Sequence, residues 1–387
     1  NIPAGTQTLT ADLNNLSVPV VIKGAGMTQT TIDGAGLYKV FTATSSGAVT
    51  FSDLKITGFN GTAINVLDKD VVFRNIEIDG TNLGTSSDVR GITVYEADPG
   101  SYTVIAENVY IHNISASVGY IFGFSVDSAE GTTVDVQMKN TTLADVHNSG
   151  GGINGIIMFS GTGNGNGGTL TANIINTTVH DITSSELAAP FAAFSSVTSS
   201  VVQNPSITMT INNITITGTR GMPGIGFTGG LETAAFYAAG LAANSGGEVN
   251  VDLTVSNSLM ADNLSNGVSY NCSNGDLGPN VGGLGTVNTS IASAGYNISD
   301  DNSCVGFNQP GDQQNVSNVI STLGPLQNNG GNVPTRALLA GSPAIGAGAQ
   351  VLGISTDARG VARTAESWDV GAFQTVLADS TTTPVST

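Results

Sequence analysis

The sequence predicts an all-β chain: a right-handed parallel β-helix with an N-terminal cap and a disulfide-closed loop near its C-terminus. Three observations carry this reading. A short apolar pattern returns seven times, the intervals are rich in Gly, Ser, Thr and Asn, and two cysteines enclose one polar loop. Periodicity on this scale marks a coil that stacks on itself.

The pattern begins with VTFSDLKI at 49–56 and VVFRNIEI at 71–78, and continues as VIAENVYI, VQMKNTTL, ANIINTTV, MTINNITI and DLTVSNSL. Within each copy apolar residues alternate with period two, as in a strand. The alternation skips a beat at a polar pivot. The seven pivots are Asp53, Asn75, Asn108, Asn140, Asn176, Asn213 and Ser256. Three residues later comes an aliphatic residue: Ile56, Ile78, Ile111, Leu143, Val179, Ile216 or Leu259. Two residues earlier comes Phe51, Phe73, Ala106, Met138, Ile174, Ile211 or Thr254. One residue must therefore turn the chain sharply between two strands. Asn and Asp tolerate the left-handed conformation this needs. Stacked coils would also bring the pivot amides into a hydrogen-bonded ladder, a structural role rather than a catalytic one.

A βαβ repeat would need a helix in every interval. The intervals instead read TSSGAV, SGTGNGNGGT and NSGGGINGI, and the one helix-like stretch is LETAAFYAAGLAA at 231–243. The chain then divides into a cap with first coils (1–40), a regular β-helix (41–265), irregular C-terminal coils with the disulfide loop (266–375) and a Ser/Thr/Pro tail (376–387). Cys272 and Cys304 are expected to bridge that loop, which implies an oxidising compartment.

The chain carries 11 Lys and Arg against 29 Asp and Glu, a net charge of −18. That excludes nucleic acid and anionic membrane surfaces as partners, because both require basic patches. No apolar run is long enough to insert into a membrane as a helix. The opening NIPAGTQTLT reads as a mature N-terminus after signal removal. The expected location is extracellular or at the cell surface.

The stretches AGYNISDDNSC, LGPLQNNGG, ALLAGSPAIGAGA and TDARGVAR, followed by DVGAF, resemble the end of a family of secreted bacterial β-helix surface proteins, the choice-of-anchor and polymorphic-outer-membrane-like group. The opening VVIKGAGMTQTTIDGAG and the phrase VTFSDLKITG resemble the same family's first coils. The resemblance implies secretion and surface display, with no shared catalytic residues. At Trp368 the chain departs from the resemblance, which implies a second cysteine there.

A search for chemistry points away from an enzyme. Glycoside hydrolysis needs two carboxylates at a set separation, but the adjacent Asp300 and Asp301 fall in the cysteine loop. The chain has no His-Gly and no Arg-x-Lys motif, and Arg74 and Lys139 show no accompanying acidic cluster. His112 and His180 lie four residues after a pivot, with Ala144 in the coil between. Two strand spacings, about 9.6 Å, are too many for one shared metal, so these read as surface histidines. Calcium is the one cofactor the acidic loops admit, although no EF-hand loop or nonapeptide repeat appears.

A β-helix has two open ends, and each is a sheet edge able to pair with another chain. Contact between unlike ends is heterologous and builds open filaments. The expected function is therefore a non-enzymatic surface protein that polymerises head to tail, with its tail adding to a neighbour's edge. The alternative is a monomeric surface adhesin for glycans or a host surface; a polysaccharide lyase or hydrolase ranks below both.

Overall fold

At six of the seven predicted bends the computed structural model places the pivot residue in the left-handed region. The structure describes residues 1–13, 15–44, 47–161, 167–197, 204–223, 232–243, 246–277, 285–364 and 367–376. Asp53 has φ 58°, Asn75 52°, Asn108 56°, Asn140 52°, Asn176 52° and Asn213 55°. Beside each bend the strands stack in parallel. Phe51 faces Phe73, which faces Ala106, then Met138, Ile174 and Ile211. Past the bend, Ile56, Ile78, Ile111, Leu143, Val179 and Ile216 form a second inward column, all fully buried. The chain is a parallel β-helix, with a seventeen-stranded and an eight-stranded sheet enclosing one core.

The seventh pivot is one residue later than the pattern predicts. Asn212 pairs with Ser256, and it is Asn257 that has a positive φ, 48°. The inward positions become Val255 and Met260, not Thr254 and Leu259. In SNSL, an apolar residue three positions after the serine imitates the repeat. The actual rule keeps the left-handed asparagine, since serine lacks its tolerance of that region.

A second column of bends, five residues after the first, went unread. Gly58, Asn113, Asp145, Asp181, Gly218 and Asp262 all have positive φ. Six coils thus carry a short strand held between two left-handed corners, while in the coil of Asn75 the equivalent Gly80 is not left-handed.

The eight-stranded sheet is parallel throughout. Ile64, Ile92, Phe124, Ile156, Phe191, Phe236 and Cys272 form one inward column. The helix-like stretch 231–243 contributes its strand Phe236–Ala242, whose residues are nearly all buried. Pairing with Ala188–Val197 outweighs alanine's helix preference, which is a weak local bias. Cys272 and Cys304 form the expected disulfide, with Cα atoms 4.9 Å apart. Both lie in the core with Phe307, so the bridge pins the turn that follows Cys304 against the last coil.

Beyond Gln313 the described chain leaves the parallel stack. Leu323–Gln327 and Thr335–Leu338 form an antiparallel hairpin of their own. The described residues of 316–364 and 367–373 then lie back along the outer face of the short strands. Leu259, Ala261 and Ile298 pack there against Val319, Leu323, Leu338, Ala344 and Val370. Thr142 Oγ1 donates to the Pro334 carbonyl (2.7 Å), Arg336 Nη1 to Thr217 Oγ1 (3.0 Å) and the Ala372 amide to Thr215 Oγ1 (3.0 Å). The 266–375 region, expected as coils, is thus coil at its start and a lateral strap afterwards. The tail beyond Val376 lies outside the described residues, and so does its expected docking.

Candidate functional site

Outward side chains of the short strands form columns with the coil spacing. Two residues after the pivot the column reads Lys55, Glu77, Tyr110, Thr142, Thr178 and Thr215. Four residues after, it reads Thr57, Asp79, His112, Ala144, His180 and Thr217. Polarity follows coverage: the strap lies on the later coils, while the earlier coils carry a charged cluster.

In that cluster Lys55 Nζ sits 2.6 Å from Asp79 Oδ2 and 2.8 Å from Glu77 Oε1. His112 Nε2 lies 3.0 Å from the same Glu77 oxygen. Asp79 Oδ1 accepts from the Thr81 amide, the Thr81 hydroxyl and the Asn113 amide group. The Tyr110 ring stacks on His112 at 4.0 Å with planes 9° apart. His112 is therefore a buried, partnered residue, not the surface histidine its position promised. His180 is also part-buried, with Nδ1 3.0 Å from Thr217 Oγ1.

Burial alone would raise the Glu77 and Asp79 carboxyls. Hydrogen bonds from His112 and Lys55 to Glu77, and from Lys55, Thr81 and Asn113 to Asp79, more than reverse this, so both titrate below the usual carboxylate range. Burial opposes the Lys55 charge, but its two carboxylate partners hold its pKa above the usual lysine value. Glu77 and Asp79 thus favour their ionised forms and Lys55 its charged form. The donor atoms of Glu77, Asp79 and His112 all lie within 4.8 Å of one another, close enough to matter for a metal.

A second charged row lies one residue before the pivots. Arg74 Nε is 3.4 Å and Lys139 Nζ 2.8 Å from the two oxygens of Glu107. The acidic partner that the sequence did not reveal stands on the coil between the two cations. These residues line a shallow groove of about 290 Å³ over Ile105, Met138 and Ile175. Asp300 and Asp301 serve as local caps: Asp300 accepts from the Asp262 amide (2.7 Å) and Asp301 from the Asn271 amide (3.0 Å). Glu96 is fully buried and receives the Lys69 amide at 2.9 Å. Burial and then the Asp68 charge push its carboxyl up to about 8, but no solvent-borne substrate reaches it.

The pivot ladder is real over five rungs. Asn75 donates to Asp53 (2.7 Å), Asn108 to Asn75 (2.9 Å), Asn140 to Asn108 (3.1 Å) and Asn176 to Asn140 (3.4 Å). It then stops. The Asn213 side-chain amide is fully buried without a hydrogen-bond partner among the described residues. Asn257 instead exchanges a pair of hydrogen bonds with Ala349 of the strap (3.0 and 2.8 Å).

The ends complete the candidate surfaces. At the N-terminal end Ile2, Leu9, Leu16, Val20 and Ile22 close the core while only partly buried. At the other end Thr286–Gly295 pairs along one flank with Glu248–Ser256. Its sequence, TVNTSIASAG, contains no charge and no proline. The Asn274 side chain donates to the Thr289 carbonyl on this strand, and the Ser293 amide donates to Gly306.

Comparison with protein-family models, with curated proteins and with solved structures finds no match in any of the three. No helix among the described residues is long and apolar enough to cross a membrane.

Proposed function

We propose that this chain is a non-enzymatic structural protein of the extracellular space or cell surface that joins head to tail through its β-helix ends. The observation that carries the reading is the chemistry of the last long strand of the seventeen-stranded sheet, Thr286–Gly295. Monomeric proteins guard an edge strand with lysine, proline or a bulge in mid-strand. This one is long and uncharged, its described irregularity falling only near its end, between residues opposite Val255 and Ser256. The opposite end offers an incompletely buried apolar layer built on Val20 and Ile22.

A second copy is the occupant that fits. All coils run in one sense, so stacking the first coil of one copy on the last coil of another continues both sheets in parallel. The reverse, head-to-head arrangement would pair strands antiparallel. Charge favours the same contact, since a chain of net charge −18 repels its copies least where its surface is neutral. The disulfide and the surface-family resemblance support the extracellular location.

Two variants test the reading. Ile22→Lys charges the first end and Val287→Lys the last. Each alone should remain a folded single rod by light scattering. Mixed, they should give dimers, because each retains the end the other lacks. Wild-type protein that stays monomeric at high concentration would overturn the proposal and leave a monomeric adhesin as the reading to pursue.

A further inference from the structure

We propose that Glu77, Asp79 and His112 form a site for a divalent transition metal of the zinc class, at a focus that the Lys55 ammonium reaches. The donor set suits that class. Zinc takes both imidazole nitrogen and carboxylate oxygen as ligands, and three protein donors leave a fourth position for water or a ligand. Calcium, which takes six to eight oxygens, is not served by three donors of which one is nitrogen.

The geometry is built rather than scattered. Three coil-adjacent positions, two from the strand Val71–Asp79 and one from the strand Gly100–Ala116, direct one donor each to a common point. Asp79 commits Oδ1 to Thr81 and Asn113, which leaves Oδ2 turned inward. Tyr110 fixes the imidazole plane by stacking. The three side chains are only 10–13 % exposed. Second-layer orientation of this kind is what metal ligands require.

The independent observation is the cation already at the focus. The Lys55 ammonium touches two of the three donors, at 2.6 and 2.8 Å. A point that selects an ammonium selects positive charge. Lys55 reaches it on a flexible four-carbon stem and is 25 % exposed, so it can swing to solvent when an ion enters. In a tetrahedral site, donors about 2.1 Å from the ion lie about 3.4 Å apart. The present spread of up to 4.8 Å therefore asks for closure by up to about 1.4 Å.

The test is titration of the folded protein with Co²⁺, followed by its visible absorption, and with Zn²⁺ by calorimetry. Wild type should bind one ion per chain. Lys55→Met should bind about tenfold or more tightly, and His112→Ala should lose binding by at least a similar factor. His147→Ala, on the neighbouring surface, should bind like wild type. Melting curves of each variant show that the coils persist. Equal binding by wild type and His112→Ala would overturn the site. Binding by Lys55→Met alone would also overturn it, because the ammonium would then be the resident cation.

Discussion

Asn75 donates its side-chain amide to the carboxylate of Asp53 at 2.7 Å, and this bond explains why the ladder begins with an aspartate. From Asn75 to Asn140 each pivot amide gives a hydrogen to the coil before it and accepts one from the coil after it. The first rung has no earlier pivot to donate to. A carboxylate, which only accepts, fits that position, and Lys23 Nζ at 3.7 Å adds a counter-charge.

The ladder predicts a split between two substitutions at Asn108. Ala loses both amide bonds and lacks the short polar side chain that makes asparagine tolerant of the left-handed region, for a cost of about 2–3 kcal/mol. Gly loses the bonds without that strain and should cost about half as much. Urea unfolding of the two variants distinguishes them. Equal losses would mean that the bend itself contributes nothing.

Glu96 predicts a pH dependence of known sign. Its folded carboxyl titrates near 8, against an ordinary value of 4.5. As pH rises between these values the unfolded chain releases a proton that the folded chain keeps, so the group's contribution to stability falls and then levels off above 8. Glu96→Gln keeps an acceptor for the Lys69 amide and removes the titration. Its stability relative to wild type should therefore climb from about pH 4.5 to about pH 8. Melting the pair across that range checks this, and parallel curves would refute it.

The Cys272–Cys304 bridge closes a separation of 32 residues. Its removal should cost about 3–4 kcal/mol through the unfolded chain's entropy. The loss should be local at first, because the bridge pins Phe307 against the last coil. Hydrogen exchange in Cys272→Ser/Cys304→Ser should quicken in Thr286–Gly295 before it does in the coils around Asn108.

The strap predicts a protease test. Arg336 and Arg363 are buried against the coils. Leu259→Asp places a charge between the coil face and Leu323, Leu338 and Val370, and should release the segment. Brief trypsin treatment should then cut after Arg336, Arg359 and Arg363 while residues 47–161 resist. Protection equal to wild type would show that the strap is held elsewhere.

The repeat was legible because a skipped beat in an apolar alternation has one physical meaning, a single-residue left-handed bend. Six of seven pivots follow from it. The seventh failed where Leu259 imitated an inward residue while facing the strap. The charged cluster was written in the sequence at fixed offsets from the pivots, at Lys55 and Glu77 and at Asp79 and His112. Reading each coil alone hid it, because its members meet only across coils. The strap was not legible, since its contacts join Pro334 to Thr142 and Ala349 to Asn257, and no local period encodes pairs so far apart.

Negative-stain electron microscopy of the wild-type protein, with its mass from light scattering, tests end-to-end assembly most directly. Unbranched fibres one β-helix wide, absent from Ile22→Lys, are the predicted result. Single rods with the 39.0 kDa mass of one chain at every concentration would contradict it.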